Sequence, residues 1–344
     1  RILDFLSPPP ESCHILTWLL GDEGIPANYR QMNGFGVHTF KLVTQEGKET
    51  LIKWHWLTQQ GEKYLTNEEA DGTGSGPKKP VTATLDLYEA IEKGDFPKWT
   101  LSIQTMKPEE QCDLDFDPLD DTKTWPEDKF PLREVGVMTL NRNVDNWFND
   151  NEVIAFNPGN LPPGLLASDD KMLQSRIFSY SDAQRYRLGA NYLTLPINRP
   201  HNKMHQNHYD GLMNRTFRDE EVDYFPSRNN KVQDGAPRGP VLQQGQVDGQ
   251  RKEEIIHKEN NFQQAGERIR GFTEDQKKRF LENIMMWMAD PKTTPEVRSV
   301  WLGFWNECDA AFGKEVREAC EKEGLDNSSG AGAADEGPTS HPTL

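Results

Sequence analysis

Arg176-Ile177-Phe178-Ser179-Tyr180-Ser181-Asp182-Ala183-Gln184-Arg185-Tyr186-Arg187 is the stretch on which the reading of this chain turns. Its spacing puts Arg176, Tyr180, Gln184 and Arg187 on one continuous stripe of an α-helix. A phenol in water ionises near ~10, so a tyrosine acting as an anion at neutral pH needs a cation close by. Arg176, one turn earlier, is placed to supply it. A phenolate is a hard anionic ligand for ferric iron, and tyrosinate is one of the few side chains that bind haem iron axially. Arg187, further along the stripe, suits a carboxylate such as a propionate, which its planar fork meets bidentately. The alternative is an amphipathic helix with a buried tyrosine and two surface arginines, and the spacing by itself does not separate the two. Ser168 offers an N-cap with Asp169 and Asp170 in the first turn, and Gly189 offers a left-handed stop after Arg185 and Arg187. A helix over 169–188 is therefore expected.

Upstream, residues 1–30 read as helix and turn. Segments 37–43 and 50–57 are rich in β-branched and aromatic residues and flank the polar turn 45–48, which predicts a hairpin. Further strands are expected at 100–106 and 134–141, and between the hairpin and these lie a loop at 71–80 and a short helix near 86–92. Strands in this order, without alternating helices, point to antiparallel sheet rather than a parallel α/β core. Residues 142–165, with Asn157-Pro158-Gly159 and Pro162-Pro163-Gly164, are too broken for regular structure. Residues 191–261 are polar and lack periodicity. Downstream, Thr273 to Gln276 forms a capping box ahead of an apolar helix. Thr294-Pro295 opens another helix, running through Val297, Trp301, Phe304, Cys308, Phe312 and Val316. The Met and Trp stripe of these two helices reads as core. Residues 325–344 are small and polar and are expected to be disordered.

The 344 residues carry 39 basic and 55 acidic side chains, a net charge of −16. That balance repels nucleic acid and anionic membrane surfaces. No apolar run reaches the length of a bilayer span. Cys13, Cys112, Cys308 and Cys320 lack metal-ligand spacing and are read as reduced thiols of an intracellular protein.

The text RIFSYSDAQRYRLGANY at 176–192 closely resembles the proximal-helix signature of the monofunctional haem catalases. FLSPPPESCHILTWLLGDEGIPANYRQMNGFGVHTFKLV at 5–43, DPLDDTKTWPEDKFPLREVGVMTLNRN at 117–143 and FRDEEVDYFPSR at 217–228 resemble the same family, closest to its plant-like, small-subunit branch. The resemblance runs from about Asp4 to about Phe312. It implies an α+β fold with the second half of a catalase-like antiparallel β-barrel. Four regions follow: partial barrel core 1–145, wrapping segment 146–260 with the proximal helix, helical subdomain 261–324, and tail 325–344.

The resemblance also implies haem b, with Tyr180 as iron ligand and a relay running Asp170, His38, Arg176, Tyr180. Arg187 matches a propionate-binding arginine, and Met172 and Phe156 suit either the haem face or an ordinary core. Gln184 falls where many relatives carry histidine, and Asp182 reads as a surface residue. His14, Asn33 and Trp125 match nucleotide contacts of the NADPH-binding members. Gly21, Glu23, Leu57 and Glu127 replace the serine, arginine, lysine and histidine of those members, so no tight NADPH binding is expected. The implied activity is disproportionation of hydrogen peroxide to water and oxygen by a peroxisomal homotetramer, with the cytoplasm as the other location. The stretch supplying the distal histidine and asparagine has no counterpart in these residues. No catalytic distal residue is therefore expected here, and the chain alone is expected to be a poor or inactive catalase. The alternative is a non-catalytic relative that binds haem or joins the subunits of others.

Overall fold

The computed structural model describes residues 1–71, 82–201, 228 and 260–325. Its contacts divide the chain into two compact units.

The first unit is helical. In chain order it takes α1 (Ile2–Leu6), α2 (Ser12–Leu19), α3 (Asn67–Ala70), α6 (Gln263–Gly271), α7 (Glu274–Met288), α8 (Pro295–Cys308) and α9 (Ala310–Lys322). The expected capping box is present: Thr273 Oγ accepts the Gln276 amide, and the Gln276 side chain accepts the Thr273 amide. The segment expected to continue as one helix to Val316 breaks instead at Asp309, whose extended backbone ends α8. Its carboxylate accepts the Phe312 amide at 2.9 Å and starts α9. This turn lets two apolar faces meet. Phe280 stacks on Phe312 at 5.3 Å, and Trp305 meets Phe280 edge-on at 5.7 Å. Trp301 Nε1 donates to the Leu3 carbonyl at 2.9 Å, and Arg279 grips Asp22 through two bonds. Residues 1–26 thus belong with the C-terminal helices. The expected grouping of 1–145 as one barrel core differs from this.

The second unit holds β1 (Gly34–Val43), β2 (Glu49–Thr58), α4 (Thr82–Glu92), β3 (Lys98–Met106), β4 (Arg133–Thr139), β5 (Leu165–Ala167) and α5 (Lys171–Leu188). Its strands form one antiparallel sheet in the order β4-β3-β2-β1-β5, the half-barrel expected. β5 starts at the last residue of the stretch read as too broken for structure. After Pro162 and Gly164, at φ +89°, three residues add to the edge of β1. The β1–β2 ladder is interrupted: Gly36 pairs with Trp54 and Phe40 with Ile52, so Val37, His38 and Thr39 face Lys53 alone. Such a bulge re-aims side chains. Gly36 is needed beside it, because a Cβ there would sit 3.0 Å from the Trp54 Cβ. Most of the wrapping segment (202–227 and 229–259), residues 72–81 and the tail from 326 lie outside the described residues.

One face of the sheet is covered by residues 107–131, with Leu51, Met106, Trp125 and Phe130 at the core. Most polar groups under this cover are paired, Ser102 Oγ excepted among the described residues. Gln104 Nε2 donates to the carbonyls of Trp125 and Phe130, its Oε1 pairs with His55 Nε2 at 3.0 Å, and Lys53 Nζ donates to the Lys123 carbonyl at 2.9 Å. Burial pushes the His55 imidazole below its ordinary value. Burial also pushes the Lys53 ammonium down to about 8, against the opposing pull of nearby carboxylates. An unfolded lysine titrates near ~10.4, so between these values the unfolded chain binds more protons than the folded one. Stability therefore rises with pH from about 8 to about 10.4, by about 3 kcal/mol at most. Urea unfolding across this range is expected to show the rise in wild type and to lose it in Lys53→Met.

Candidate functional site

The site is built where α5 leaves the sheet. Ser168 Oγ donates to the Thr39 carbonyl at 2.5 Å, which fixes the approach of the chain to β1. Ser168 is not the cap. The structure moves the expected helix start by two residues, to Lys171, and Asp170 is the N-cap. Asp170 Oδ1 accepts the Leu173 amide at 3.0 Å. Its other oxygen, Oδ2, pairs with His38 Nδ1 at 2.7 Å. One carboxylate, 2% exposed, serves the helix and the sheet together. Gly189 ends the helix with φ +116° and ψ 161°, an extended glycine conformation rather than the left-handed one expected.

His38 Nε2 lies 2.7 Å from Arg176 Nη1. A guanidinium can only donate, so Nε2 accepts and the ring proton sits on Nδ1, where it is donated to Asp170. Asp170, His38 and Arg176 thus form an unbroken line of charge-assisted bonds from the buried cap to the open stripe of α5. Tyr180 follows Arg176 by one turn on that stripe and is 42% exposed. The link from Arg176 to Tyr180 is one of helical spacing. Among the described residues the Tyr180 hydroxyl has no hydrogen-bond partner.

Met172 and Phe156, expected beside the tyrosine, are 48% and 73% exposed and so stay open. Arg187 turns toward residues 152–156: Nη1 donates to the Glu152 carbonyl at 3.0 Å and Nη2 to the Ile154 carbonyl at 2.6 Å. Both Nε and Nη2 also donate to Gln184 Oε1. Gln184, read only as a departure from the family pattern, is one of two buried residues of α5 and donates to the Phe156 carbonyl at 3.3 Å. It clamps the segment that presents Phe156. Buried amides of this kind carry no spacing signal, and sequence reasoning had no means of finding the role. Asp182 is on the surface, as expected.

The residues matched to nucleotide contacts all have internal partners. In the first unit, His14 Nε2 accepts from Trp18 Nε1 at 3.4 Å, and Glu23 pairs with Arg268 at 2.6 Å. In the second, Asn33 donates to the Glu62 carboxylate and accepts the Thr58 amide at 2.9 Å. Trp125 donates to the Pro118 carbonyl at 3.0 Å and is buried. Among the described residues no group of His, Cys, Asp and Glu could hold a metal ion, and no helix is long and apolar enough to cross a membrane.

The cap and the histidine bond can be tested together. Asp170→Ala is expected to destabilise by about 2–4 kcal/mol, the sum of a lost cap and a buried ring nitrogen left without its partner. Asp170→Asn, which still caps, is expected to cost about half as much. Urea denaturation of the two variants against wild type measures the difference.

A model of the catalase family matches residues 1–231, and one described as catalase-related immune-responsive matches residues 255–320. Catalase isozyme 1 of Nicotiana plumbaginifolia is 50% identical over 316 residues, covering 92% of this chain and 64% of the relative. Catalase of Helianthus annuus is 49% identical over 318 residues, with 92% and 63% covered. A solved fungal catalase superposes with a TM-score of 0.85 at 34% identity, covering 94% of this chain and 65% of that one. A bacterial catalase gives a TM-score of 0.83 at 36% identity, covering 93% and 66%. The chain spans about two thirds or slightly less of the length of these relatives, 63% to 66%. With the family model spanning residues 1–231 of 344, and with sheet and helices arranged as in the solved relatives, the chain belongs to the catalase family.

Proposed function

We propose that this chain carries the iron-binding side of a haem site, in a protein that disproportionates hydrogen peroxide to water and oxygen. The observation that carries the proposal is the line of two 2.7 Å bonds from Asp170 through His38 to Arg176, ending on the stripe that presents Tyr180. A structural ion pair would terminate at the arginine. Here the arginine stands beside a phenol whose hydroxyl is open.

The residues fit a haem. Met172, Tyr180 and Phe156 leave apolar and aromatic surface uncovered. Arg187 meets only neutral acceptors among the described residues, so its charge is free to answer a propionate. When bound, the haem iron supplies the redox chemistry. Tyr180 would hold it as phenolate, with Arg176 taking the place of the lost phenolic proton. His38 keeps one edge of the guanidinium fixed, and Asp170 keeps the His38 proton on Nδ1. The guanidinium is thereby held in one orientation one helical turn from the phenol, and lysine, with a single mobile ammonium, would not be. The proposal gives this chain the proximal side and assigns none of its residues a role on the peroxide-facing side.

Haem b, assembly as a homotetramer and a peroxisomal location extend the same proposal and rest on the family. Tight NADPH binding is not proposed. A carboxylate at position 23 and an apolar side chain at position 57 suit a 2′-phosphate poorly, and Glu23 already pairs with Arg268. A micromolar or tighter site in isothermal titration would contradict this.

Hemin titration followed by visible spectroscopy tests the central claim. Wild type is expected to develop a phenolate-to-iron charge-transfer band, Tyr180→Phe to lack it, and Arg176→Leu to bind hemin about 10–100-fold more weakly. A Tyr180→Phe spectrum identical to wild type would remove Tyr180 as the ligand.

A further inference from the structure

Burying an ammonium is costly, and Lys53 is buried at 4% exposure with one hydrogen bond to show for it. Its Nζ also stands 5.4 Å from the centre of the Trp125 ring, whose face takes a second N–H. Neither contact requires a full charge. Position offers the reason. Lys53 is the one residue of β2 opposite Val37, His38 and Thr39, the bulge that turns His38 toward Asp170. The covering loop is tied to both sides of this bulge: Lys53 donates to Lys123, Thr39 Oγ1 donates to the Pro118 carbonyl, and Trp125 donates to the same carbonyl.

The charges acting on Lys53 are of one kind. Asp170 comes first, followed by Asp121, Asp120 and Asp117 of the covering loop. Asp120 and Asp117 are held by amides of that loop, from Thr122 and Leu119. On its own strand Lys53 faces His55, which is bonded to Gln104. Arg176 approaches the relay from the α5 side, through His38. Asp170 is thus a buried carboxylate whose histidine carries a guanidinium beyond it, and whose charge also acts on this ammonium in the sheet.

We infer that Lys53 is a positioning residue of the proximal relay, a buried cation that balances Asp170 and thereby holds the His38 ring in the orientation that presents Nε2 to Arg176. The role rests on the haem proposal only where haem is the readout; the effect on His38 stands apart from it. Lys53 touches neither Tyr180 nor the open face of α5. It acts through Asp170 and the bulge.

Histidine nitrogen NMR of the full chain without hemin gives the first test. Wild type is expected to show His38 as a single tautomer with its proton on Nδ1. Lys53→Met, of similar length and without charge, is expected to show exchange between tautomers, and Lys53→Arg to restore the wild-type pattern. A Lys53→Met spectrum identical to wild type overturns the inference. Should Lys53→Met fail to fold, Asp170→Asn answers in its place, since asparagine also caps a helix. Loss of the Asp170 charge is expected to move the Lys53 titration, followed by labelled-lysine NMR, clearly below its value of about 8, and an unchanged titration overturns the inference. With hemin, Lys53→Met is expected to bind about tenfold more weakly, the low end for partners of a metal ligand. A wild-type chain that bound no hemin would sink the haem proposal and leave the hemin-free outcomes to decide this one.

Discussion

The carboxylate of Asp170 holds two constraints that the rest of the site depends on. As N-cap it fixes where α5 begins, and therefore the rotational phase of every later residue on that helix. As the partner of His38 it fixes where the helix start lies against the sheet. A helix advances about 100° per residue, so a start shifted by one position would carry Arg176 and Tyr180 away from His38 together. Coupling the cap to the histidine makes register and chemistry a single event. A residue that only capped, such as serine, would set the phase without the docking.

The sheet contributes an irregularity. An ideal β1–β2 ladder would alternate His38 and Thr39 across the two faces, yet both are buried in sequence. The extra residues of the bulge let Thr39 bond the covering loop and receive Ser168 while His38 turns to Asp170. Regular pairing is given up over three residues, and the lost ladder bonds are replaced by these side-chain bonds. The buried polar layer beneath, with Gln104, His55 and Lys53, is otherwise nearly satisfied; Ser102 Oγ alone in it lacks a partner among the described residues. Satisfied polar groups in a low-dielectric core specify one arrangement strongly.

Much of this was legible in the sequence, and the reasons differ by element. Strands β1 to β4 follow from β-branched and aromatic runs bounded by turns, and α7 from its capping box. The line Asp170, His38, Arg176 came only through resemblance, because His38 lies 132 residues from Asp170 and 138 from Arg176 along the chain and no local pattern joins them. β5 was missed because the three residues that follow Pro162-Pro163-Gly164 carry no period. The cap at Asp170 was assigned to Ser168 because both residue types cap, and the choice is made by His38, a partner invisible to local reasoning. The placing of residues 1–26 with the helical unit likewise depends on Trp301 and Arg279, far along the chain.

α5 itself runs against the ordinary logic of helices. It has 18 residues and buries only Leu173 and Gln184, while Met172, Phe178, Tyr180 and Tyr186 remain exposed. A soluble helix of this length normally holds its place by an apolar stripe on a core. Here the stripe faces outward. The helix is instead retained by directional bonds at points along it: the Asp170 cap, the Arg176–His38 bond, Asn157 to Ser181, and the Arg187 and Gln184 clamps on residues 152–156. Polar anchoring of this kind fixes orientation while sparing the aromatic face. Local rules broken at such a point mark function. Met172 and Tyr180, left off the core by polar fastenings elsewhere on the helix, leave the open surface that the proposed haem would need.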